Sequence, residues 1–172
     1  MQHAKLRYYR REFKAMGTPC DIQLFARNEG EAKHAADAAI ADVQRLEALY
    51  SRYKTDSFLS EINRAAAGGG SISVDDETAS LLDYAVTCYE QSDGLFDITS
   101  GILRRAWKFD QGKLPGQSLI DGLLEKVGWH KVVWKRPVLT FSVLGMEIDF
   151  GGVVKEYAVD RAASLCYGLG IR

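Results

Sequence analysis

Apolar residues follow two different periods in the first third of the chain. Residues 6–15 are rich in aromatic and charged residues and residues 21–26 alternate apolar with polar, which predicts two strands. The Gly17-Thr18-Pro19 break between them predicts a β-hairpin. From Glu31 to about Tyr53 the apolar positions follow the 3.6-residue period of a single helical stripe. That stripe consists of Ala36, Ala39, Ile40, Val43, Leu46, Leu49, Tyr50 and Tyr53.

Two further helices and a loop are predicted in the middle of the chain. A short helix is expected around residues 57–66, ended by Gly68-Gly69-Gly70. The next should run from about Asp76 to Gln91, with Asp75 or Asp76 as N-cap and Leu82, Ala85 and Tyr89 facing inward. The segment SDGLFDITSG, residues 92–101, breaks the helical pattern and is predicted to be a loop.

The remaining pattern predicts a helix, three strands and a last helix. LIDGLLEKVG is expected to form a short helix, and VVW, VLTF and MEIDF to form a three-stranded meander with Pro137 and Gly145 in its turns. A final helix is expected from about Gly152 to Tyr167, stopped by the glycines that follow. This order predicts an α+β fold with a largely antiparallel sheet.

Composition narrows the class of protein. With 172 residues, 47% of them hydrophobic and 26% charged, the chain is long enough for one globular domain with its own core. The 22 Lys and Arg residues balance 23 Asp and Glu residues, so the formal charge of −1 argues against nucleic acid as a partner. The basic, aromatic start RYYRREFK is local, and we interpret it as a solvated edge strand, with a phosphate-binding or membrane-surface role as the alternative.

Cysteine usage and hydropathy indicate neither a disulfide framework nor a membrane segment. Three widely separated cysteines without a CxxC pair predict reduced thiols and no zinc site. No signal-peptide pattern and no window of 18 apolar residues occurs, which predicts a cytoplasmic protein for the sequence as written. An exported or membrane-anchored protein whose start has been trimmed is the alternative.

The stretch DFGGVVKEYAVDR, residues 149–161, is the first candidate for chemistry. Asp149 ends a predicted strand, two glycines permit close backbone approach, and Lys155 lies at the start of a helix. Helix N-terminal amides beside a lysine are typical of a site for an anion such as a phosphate. Neither a Walker GxxxxGK[ST] motif nor a GxGxxG motif is present. A purely structural strand-to-helix turn with a solvated lysine is the alternative.

Two aromatic or apolar positions have both structural and ligand-binding interpretations. Tyr53 could stack on a planar ring or be the last core residue of its helical stripe. Met16, before a turn glycine, could contact a flat apolar ligand or fill a gap in the core. By contrast, Asp56 and Ser57 are best interpreted as candidates for the N-cap of the following helix.

Asp97 is an acid within an apolar loop, between Phe96 and Ile98. A carboxylate in such surroundings must be paired or hydrogen-bonded. Asp97 is therefore either part of a site or a loop-fixing carboxylate that accepts backbone amides. The three histidines show no spacing that suggests a metal site or a catalytic triad.

Four stretches, in this order and spacing, resemble the successive motifs of one family. AMGTPCDIQLFA, YSRYKTDSFLSEIN, DGLFDITSGIL and MEIDFGGVVKEYAVDRA are similar to those of the ApbE family, the Mg-dependent FAD:protein FMN transferases. The resemblance implies a two-layer α+β fold, related to T-folds, with a mostly antiparallel sheet packed against helices. It also implies an enzyme that uses FAD and Mg²⁺ to transfer FMN to a Thr or Ser hydroxyl of a target protein, with release of AMP.

The resemblance further implies site residues. Its flavin-nucleotide contact positions match Met16, Tyr53, Asn63, Leu95, Phe96, Asp97, Asp149 and Lys155. The carbonyl of Gly152 matches a backbone metal ligand, and no catalytic residue is assigned. A pyrophosphate needs a cation and fixed dipoles as charge moves to the leaving AMP, and Lys155 near a helix N-terminus is suited to that task.

The resemblance covers the N-terminal portion of the family pattern. We therefore expect residues 1–172 to be one ApbE-like flavin transferase domain lacking the C-terminal half of that pattern, which a longer chain or a second subunit would supply. Glu156 stands where the family commonly has a glycine. A non-catalytic FAD-binding module is the alternative function, and a relic whose motifs are only structural is a third hypothesis.

Overall fold

The computed structural model describes residues 5–107, 112 and 114–171. They form an α+β fold with antiparallel strand pairing, as predicted. The strands are β1 (Arg7–Ala15), β2 (Thr18–Ala26), β3 (Ser71–Ser73), β4 (Val132–Lys135) and β5 (Val138–Phe141). The α-helices are α1 (Glu29–Tyr50), α2 (Phe58–Ala67), α3 (Asp76–Gln91), α4 (Gln117–Leu124) and α5 (Val154–Gly168), and two 3₁₀ helices span Ile98–Arg105 and Trp129–Lys131.

The contacts divide the chain into two compact units. Unit 1 comprises Met1–Ser51 and Val154–Arg172, and unit 2 comprises Arg52–Val153. Unit 1 therefore holds β1, β2, α1 and α5, and unit 2 holds the remaining elements. The expectation that residues 1–172 are one ApbE-like domain stays a prediction.

Unit 1 is built on the predicted hairpin, whose turn is shorter than expected. β1 pairs with β2 from Arg7 opposite Ala26 to Ala15 opposite Thr18. Met16 and Gly17 form the two-residue turn with φ of 51° and 74°, the positive values that type I′ hairpin turns require. The prediction that Thr18 and Pro19 belong to the turn was wrong, because a two-residue loop matches the twist of the strands and leaves both in β2. Residues of the hairpin, α1 and the C-terminal segment form one apolar cluster: Leu24, Ala26, Ala32, Ala35, Ala36 and Ile171.

Helix α1 ends one turn before its predicted end. Its N-cap is Asn28, whose Oδ1 accepts the backbone N–H of Glu31 at 2.9 Å. Ser51 leaves the helical conformation, so Tyr50 is the last buried residue of the stripe and Tyr53 is 78% exposed. The interpretation of Tyr53 as a core residue was wrong. The chain turns after Ser51 because the Lys54 carbonyl accepts the Ser57 N–H and the Ser60 hydroxyl at the start of α2.

The caps of α2 and α3 agree with the sequence. Ser57 accepts the Ser60 N–H at 3.1 Å, and Asp75 accepts the Thr78 N–H at 2.8 Å. Both helices begin where those capping residues precede the apolar run.

The sheet of unit 2 differs from the predicted meander in its third strand. The order is β3-β5-β4, so β3 pairs with β5 where MEIDF was expected to extend the sheet. Residues 146–150, all described, form no strand, because their backbone groups bond elsewhere. The Asn63 amide binds both the N–H and the carbonyl of Ile148, at 2.8 and 3.1 Å, and the Asp149 N–H donates to the Ile98 carbonyl at 2.9 Å. Within this segment Ile148 and Phe150 are buried, and Asp149 between them is half-buried.

Cys20, Cys88 and Cys166 are all free thiols, as expected. Across the described part of the chain, no helix combines the length and apolarity needed to cross a membrane.

Candidate functional site

Asp149 lies in unit 2 at the end of a segment whose backbone is fixed on both sides. Asn63 of α2 holds the residue before it, and the Ile98 carbonyl accepts its own N–H. Gly101 approaches so closely that an added Cβ there would lie 2.7 Å from the Asp149 Cβ. A glycine is therefore required at position 101, because any side chain would displace the acid. Asn63 acts on the backbone here, and its contact with a nucleotide stays a prediction.

The Asp149 carboxylate accepts a hydrogen bond on each oxygen. Oδ2 is 2.5 Å from Nη1 of Arg52, and Oδ1 accepts the Gly151 N–H at 2.9 Å. The Asp149 side chain is 18% exposed and the Arg52 side chain 36% exposed. This is a charge-assisted pair at a partly desolvated position, which holds the carboxylate in one orientation.

The same arginine joins Asp149 to Tyr53. Nη2 of Arg52 lies 3.0 Å from the Tyr53 hydroxyl, and its Cζ lies 5.1 Å from the centre of the Tyr53 ring. The hydrogen bond to Tyr53 and the charge of Asp149 raise the pKa of Arg52 despite its partial burial. The structure thus brings together an exposed aromatic ring, a carboxylate and a permanent cation.

Sequence reasoning missed Arg52. It was one charged residue in a polar joint between two helices, and its partner Asp149 is 97 residues away along the chain. Its signals in the sequence were its position directly before Tyr53 and its place within the stretch YSRYKTDSFLSEIN.

The Leu95-Phe96-Asp97 segment contributes contacts of different kinds. Leu95 is 92% exposed. Phe96 packs on the glycine turn, since a Cβ added at Gly152 would lie 2.9 Å from the Phe96 Cε2. Phe96 therefore contacts the turn that follows Asp149, whereas Leu95 is open to solvent.

Asp97 has the loop-fixing role that was one of its two interpretations. Its Oδ1 accepts both the N–H and the hydroxyl of Thr99, at 2.8 and 2.6 Å, and its Oδ2 accepts the Trp129 N–H at 2.9 Å. The Thr99 hydroxyl in turn accepts the Gly128 N–H at 2.7 Å. Asp97 therefore caps one 3₁₀ helix and ties it to the start of the other. Its contact with a ligand stays a prediction.

Met16 and Lys155 lie in unit 1, where both line one groove of about 440 Å³. The walls come from the hairpin, α1 and α5 and are mostly apolar, with Val43 and Ala158 among them. Burial raises the pKa of the Cys166 thiol, which also lines the groove. Lys155 and its neighbour Glu156 are exposed near the start of α5.

Side chains that could hold a metal ion are not clustered in the part of the chain that the structure describes. Among residues 5–107, 112 and 114–171 there is no group of three or more His, Cys, Asp or Glu side chains placed to hold a metal ion. The carboxylate of Asp149, three residues before Gly152 in the chain, already accepts hydrogen bonds from Arg52 and the Gly151 N–H. Mg²⁺ takes a near-octahedral set of oxygens, usually including carboxylates, and this pattern differs from that set.

Known proteins resemble this chain over most of its length. The model of the ApbE family matches residues 16–172. A FAD:protein FMN transferase of Treponema pallidum is 26% identical over 94% of this chain and 47% of the relative, and one of Chlamydia pneumoniae is 31% identical over 71% of this chain and 40% of the relative.

Solved structures show the same architecture. The crystal structure of the ApbE protein from Thermotoga maritima superposes with a TM-score of 0.86 at 27% identity, covering 95% of this chain and 53% of that one. The flavin transferase ApbE from Vibrio cholerae also gives a TM-score of 0.86, at 19% identity over 97% of this chain and 55% of that one.

The 172 residues span about half the length of the relatives they match. The family model nevertheless covers all but the first 15 residues, and the fold agrees with the solved members. The chain belongs to the ApbE family.

Proposed function

We propose that this chain binds FAD and serves in the transfer of FMN from FAD to a Thr or Ser hydroxyl of a target protein. The match to the ApbE family over residues 16–172, with relatives named FAD:protein FMN transferase, carries the proposal. In that reaction the acceptor oxygen bonds to the FMN phosphorus, the phosphoanhydride bond breaks and AMP leaves. The proton of the acceptor hydroxyl passes to solvent.

The tasks open to residues of unit 2 are binding and orientation. Tyr53 offers an exposed aromatic face to a planar ring, and Asp149 offers an oriented carboxylate as a hydrogen-bond acceptor. Phe96 supports the glycine turn beside Asp149. We assign Asn63, Leu95 and Asp97 to the same binding region on the family pattern.

In unit 1, Met16 and Lys155 are the proposed contacts. Met16 supplies an adaptable apolar surface, and the exposed ammonium of Lys155 supplies a positive charge that favours a phosphate. Both belong to the lining of one groove.

We further propose that the transfer step requires Mg²⁺, with the Gly152 carbonyl among its ligands. The family pattern supports this assignment, whereas the side chains of the described residues do not complete the site. Lewis-acid stabilisation of the departing AMP is the chemistry such an ion supplies.

FAD binding by the purified chain tests the proposal. Wild-type protein should quench flavin fluorescence saturably, and Tyr53→Ala and Asp149→Asn should each weaken FAD binding by about 10-fold, equivalent to about 1.4 kcal/mol. Tyr84→Ala removes another exposed tyrosine of unit 2 and serves as the matched control, with unchanged affinity expected. Absence of saturable FAD binding by the wild-type chain would contradict the proposal.

Transfer is tested separately, by release of AMP and flavin fluorescence on the acceptor band of a denaturing gel. Flavin bound to the acceptor together with stoichiometric AMP supports the transferase. FAD recovered intact after prolonged incubation with Mg²⁺ and acceptor assigns this chain the alternative function of a non-catalytic FAD-binding module.

A further inference from the structure

Arg52 is the residue of unit 2 that joins two proposed ligand contacts. One guanidinium nitrogen is 2.5 Å from the Asp149 carboxylate, and the other terminal nitrogen is 3.0 Å from the Tyr53 hydroxyl. Arginine suits this geometry because its planar fork presents several donors in a fixed arrangement, which the single ammonium of lysine cannot reproduce.

The Asp149 end of this bridge is fixed independently of Arg52. The Gly151 N–H donates to the other carboxylate oxygen, and the Asp149 N–H donates to the Ile98 carbonyl. Gly101 has no side chain that would collide with the Asp149 side chain. Arg52 is therefore anchored to a rigid point of the unit, and Tyr53 is connected to that point through it.

The Tyr53 end gains most from the bridge. Tyr53 is 78% exposed, and an exposed aromatic side chain loses rotamer freedom when it binds a ligand unless its partners hold it beforehand. Fixing a contact residue before binding lowers the entropic penalty of association. The bridge also neutralises Asp149, which favours the approach of a ligand that carries negative charge.

We infer that Arg52 is a positioning residue that holds Tyr53 and Asp149 in the conformation that binds the planar ring system of a flavin nucleotide. This role rests on the proposed function. Arg52 acts through its two partners, and a direct salt bridge from Arg52 to a phosphate is a different role that the experiment separates from it.

The experiment is a double-mutant cycle on FAD affinity with Arg52→Ala and Tyr53→Phe. The Tyr53→Phe variant keeps the ring and removes the hydroxyl that accepts the Arg52 N–H. Each single variant should weaken FAD binding by about 5-fold, less than the loss expected for Tyr53→Ala, and the double variant should be about as weak as Arg52→Ala alone, because coupled partners are not additive. Arg52→Lys, which keeps the charge without the fork, should recover less than half of the lost affinity on a logarithmic scale.

Lys54→Ala is the matched control, since it removes a positive charge two residues away, and FAD affinity should be unchanged. Thermal unfolding of every variant is measured first, and titrations are made well below the lowest transition so that lost folding does not appear as lost affinity.

The outcomes distinguish the two proposals. If wild-type protein does not bind FAD, the proposed function fails and this role of Arg52 fails with it. If wild-type binds but Arg52→Ala binds equally well, only the positioning role is overturned. Strictly additive effects in the cycle, or full recovery with lysine, would also overturn positioning and identify Arg52 as a direct electrostatic contact.

Discussion

Met16 occupies a backbone conformation that asparagine and glycine adopt more readily than methionine. Its φ of 51° lies in the left-handed region, at the first position of a type I′ turn where Asn-Gly is the favoured pair. Stability alone would favour another residue at this left-handed position. A residue type that does not suit its backbone conformation is often found at functional sites, which agrees with a ligand contact for Met16.

Substitution Met16→Asn should therefore stabilise the hairpin and weaken ligand binding. We expect the free energy of unfolding to rise by about 0.5–1 kcal/mol, measured by urea denaturation, because asparagine tolerates the left-handed conformation better. FAD affinity should fall, because the apolar contact proposed for Met16 is lost.

Gly17→Ala is the opposing control, which should destabilise the same turn by about 1–2 kcal/mol, since alanine at a φ of 74° is strained. A Met16→Asn protein with unchanged stability and unchanged FAD affinity would contradict both assignments.

The Asp97 carboxylate accepts hydrogen bonds from backbone amides at the start of both 3₁₀ helices. Asp97→Ala removes the acceptor for the Thr99 and Trp129 amides, and we expect a loss of about 2–4 kcal/mol of unfolding free energy because buried donors are left unsatisfied. Calorimetry or urea denaturation measures the change. Asp56→Ala, on an exposed joint before the Ser57 cap, should stay within about 0.5 kcal/mol of wild type. Equal stability of the two variants would show that the Asp97 bonds contribute little.

At the scale of elements, the helix caps were the most predictable feature of the sequence. The sequence limited each cap to two adjacent residues, and the structure selects Ser57 and Asp75. The signal is local because a capping residue satisfies orphan amides through contacts within its own first turn. The third strand of the sheet was not predictable in the same way. MEIDF has a strand-like pattern, but the Asn63 amide and the Ile98 carbonyl take the backbone bonds that another strand would need.

An ion-pair cluster within unit 1 joins α1 to α5 and gives stability a dependence on pH. Burial favours a higher pKa for Asp42, but hydrogen bonds from Arg45 and Arg161 outweigh it and hold the pKa below its usual value. A carboxyl whose pKa is lowered in the folded state stabilises that state above the unfolded pKa of about 3.9, and this contribution is lost as pH falls through the folded pKa.

Asp42→Asn should accordingly be less stable than wild type at pH 7, and the difference should shrink below about pH 4. Urea denaturation at several pH values measures the difference between the two proteins. Asp56→Asn, which removes an exposed carboxylate from unit 2, controls for the change in net charge. A difference that stays constant down to pH 3 would contradict the assignment of the stabilisation to the ionised Asp42.

At the scale of the whole molecule, local patterns predicted the α+β class, and four motifs in register identified the family. The hairpin, the helices and the caps depend on neighbouring residues, so their sequence signals are local. Arg52 and Asp149 are joined only by the fold, and the loss of Tyr53 from the α1 stripe depends on a turn formed with α2. Long-range pairing of this kind leaves no periodic signal in a single sequence.

The dependence of FAD binding on Mg²⁺ can be predicted from the contacts of Asp149. Because both carboxylate oxygens of Asp149 already accept hydrogen bonds, from Arg52 and Gly151, we expect FAD binding to be insensitive to the metal. We expect the Kd for FAD to change by less than about twofold between excess Mg²⁺ and EDTA, since Mg²⁺ is held poorly without a near-octahedral set of oxygen ligands.

The transfer of FMN, by contrast, should require Mg²⁺. Titrations of flavin fluorescence measure binding, and AMP release measures transfer under the same conditions. Strongly metal-dependent FAD binding would mean that the ion displaces Arg52 from Asp149, and Arg52→Ala should then tighten the binding of Mg²⁺ in the presence of FAD.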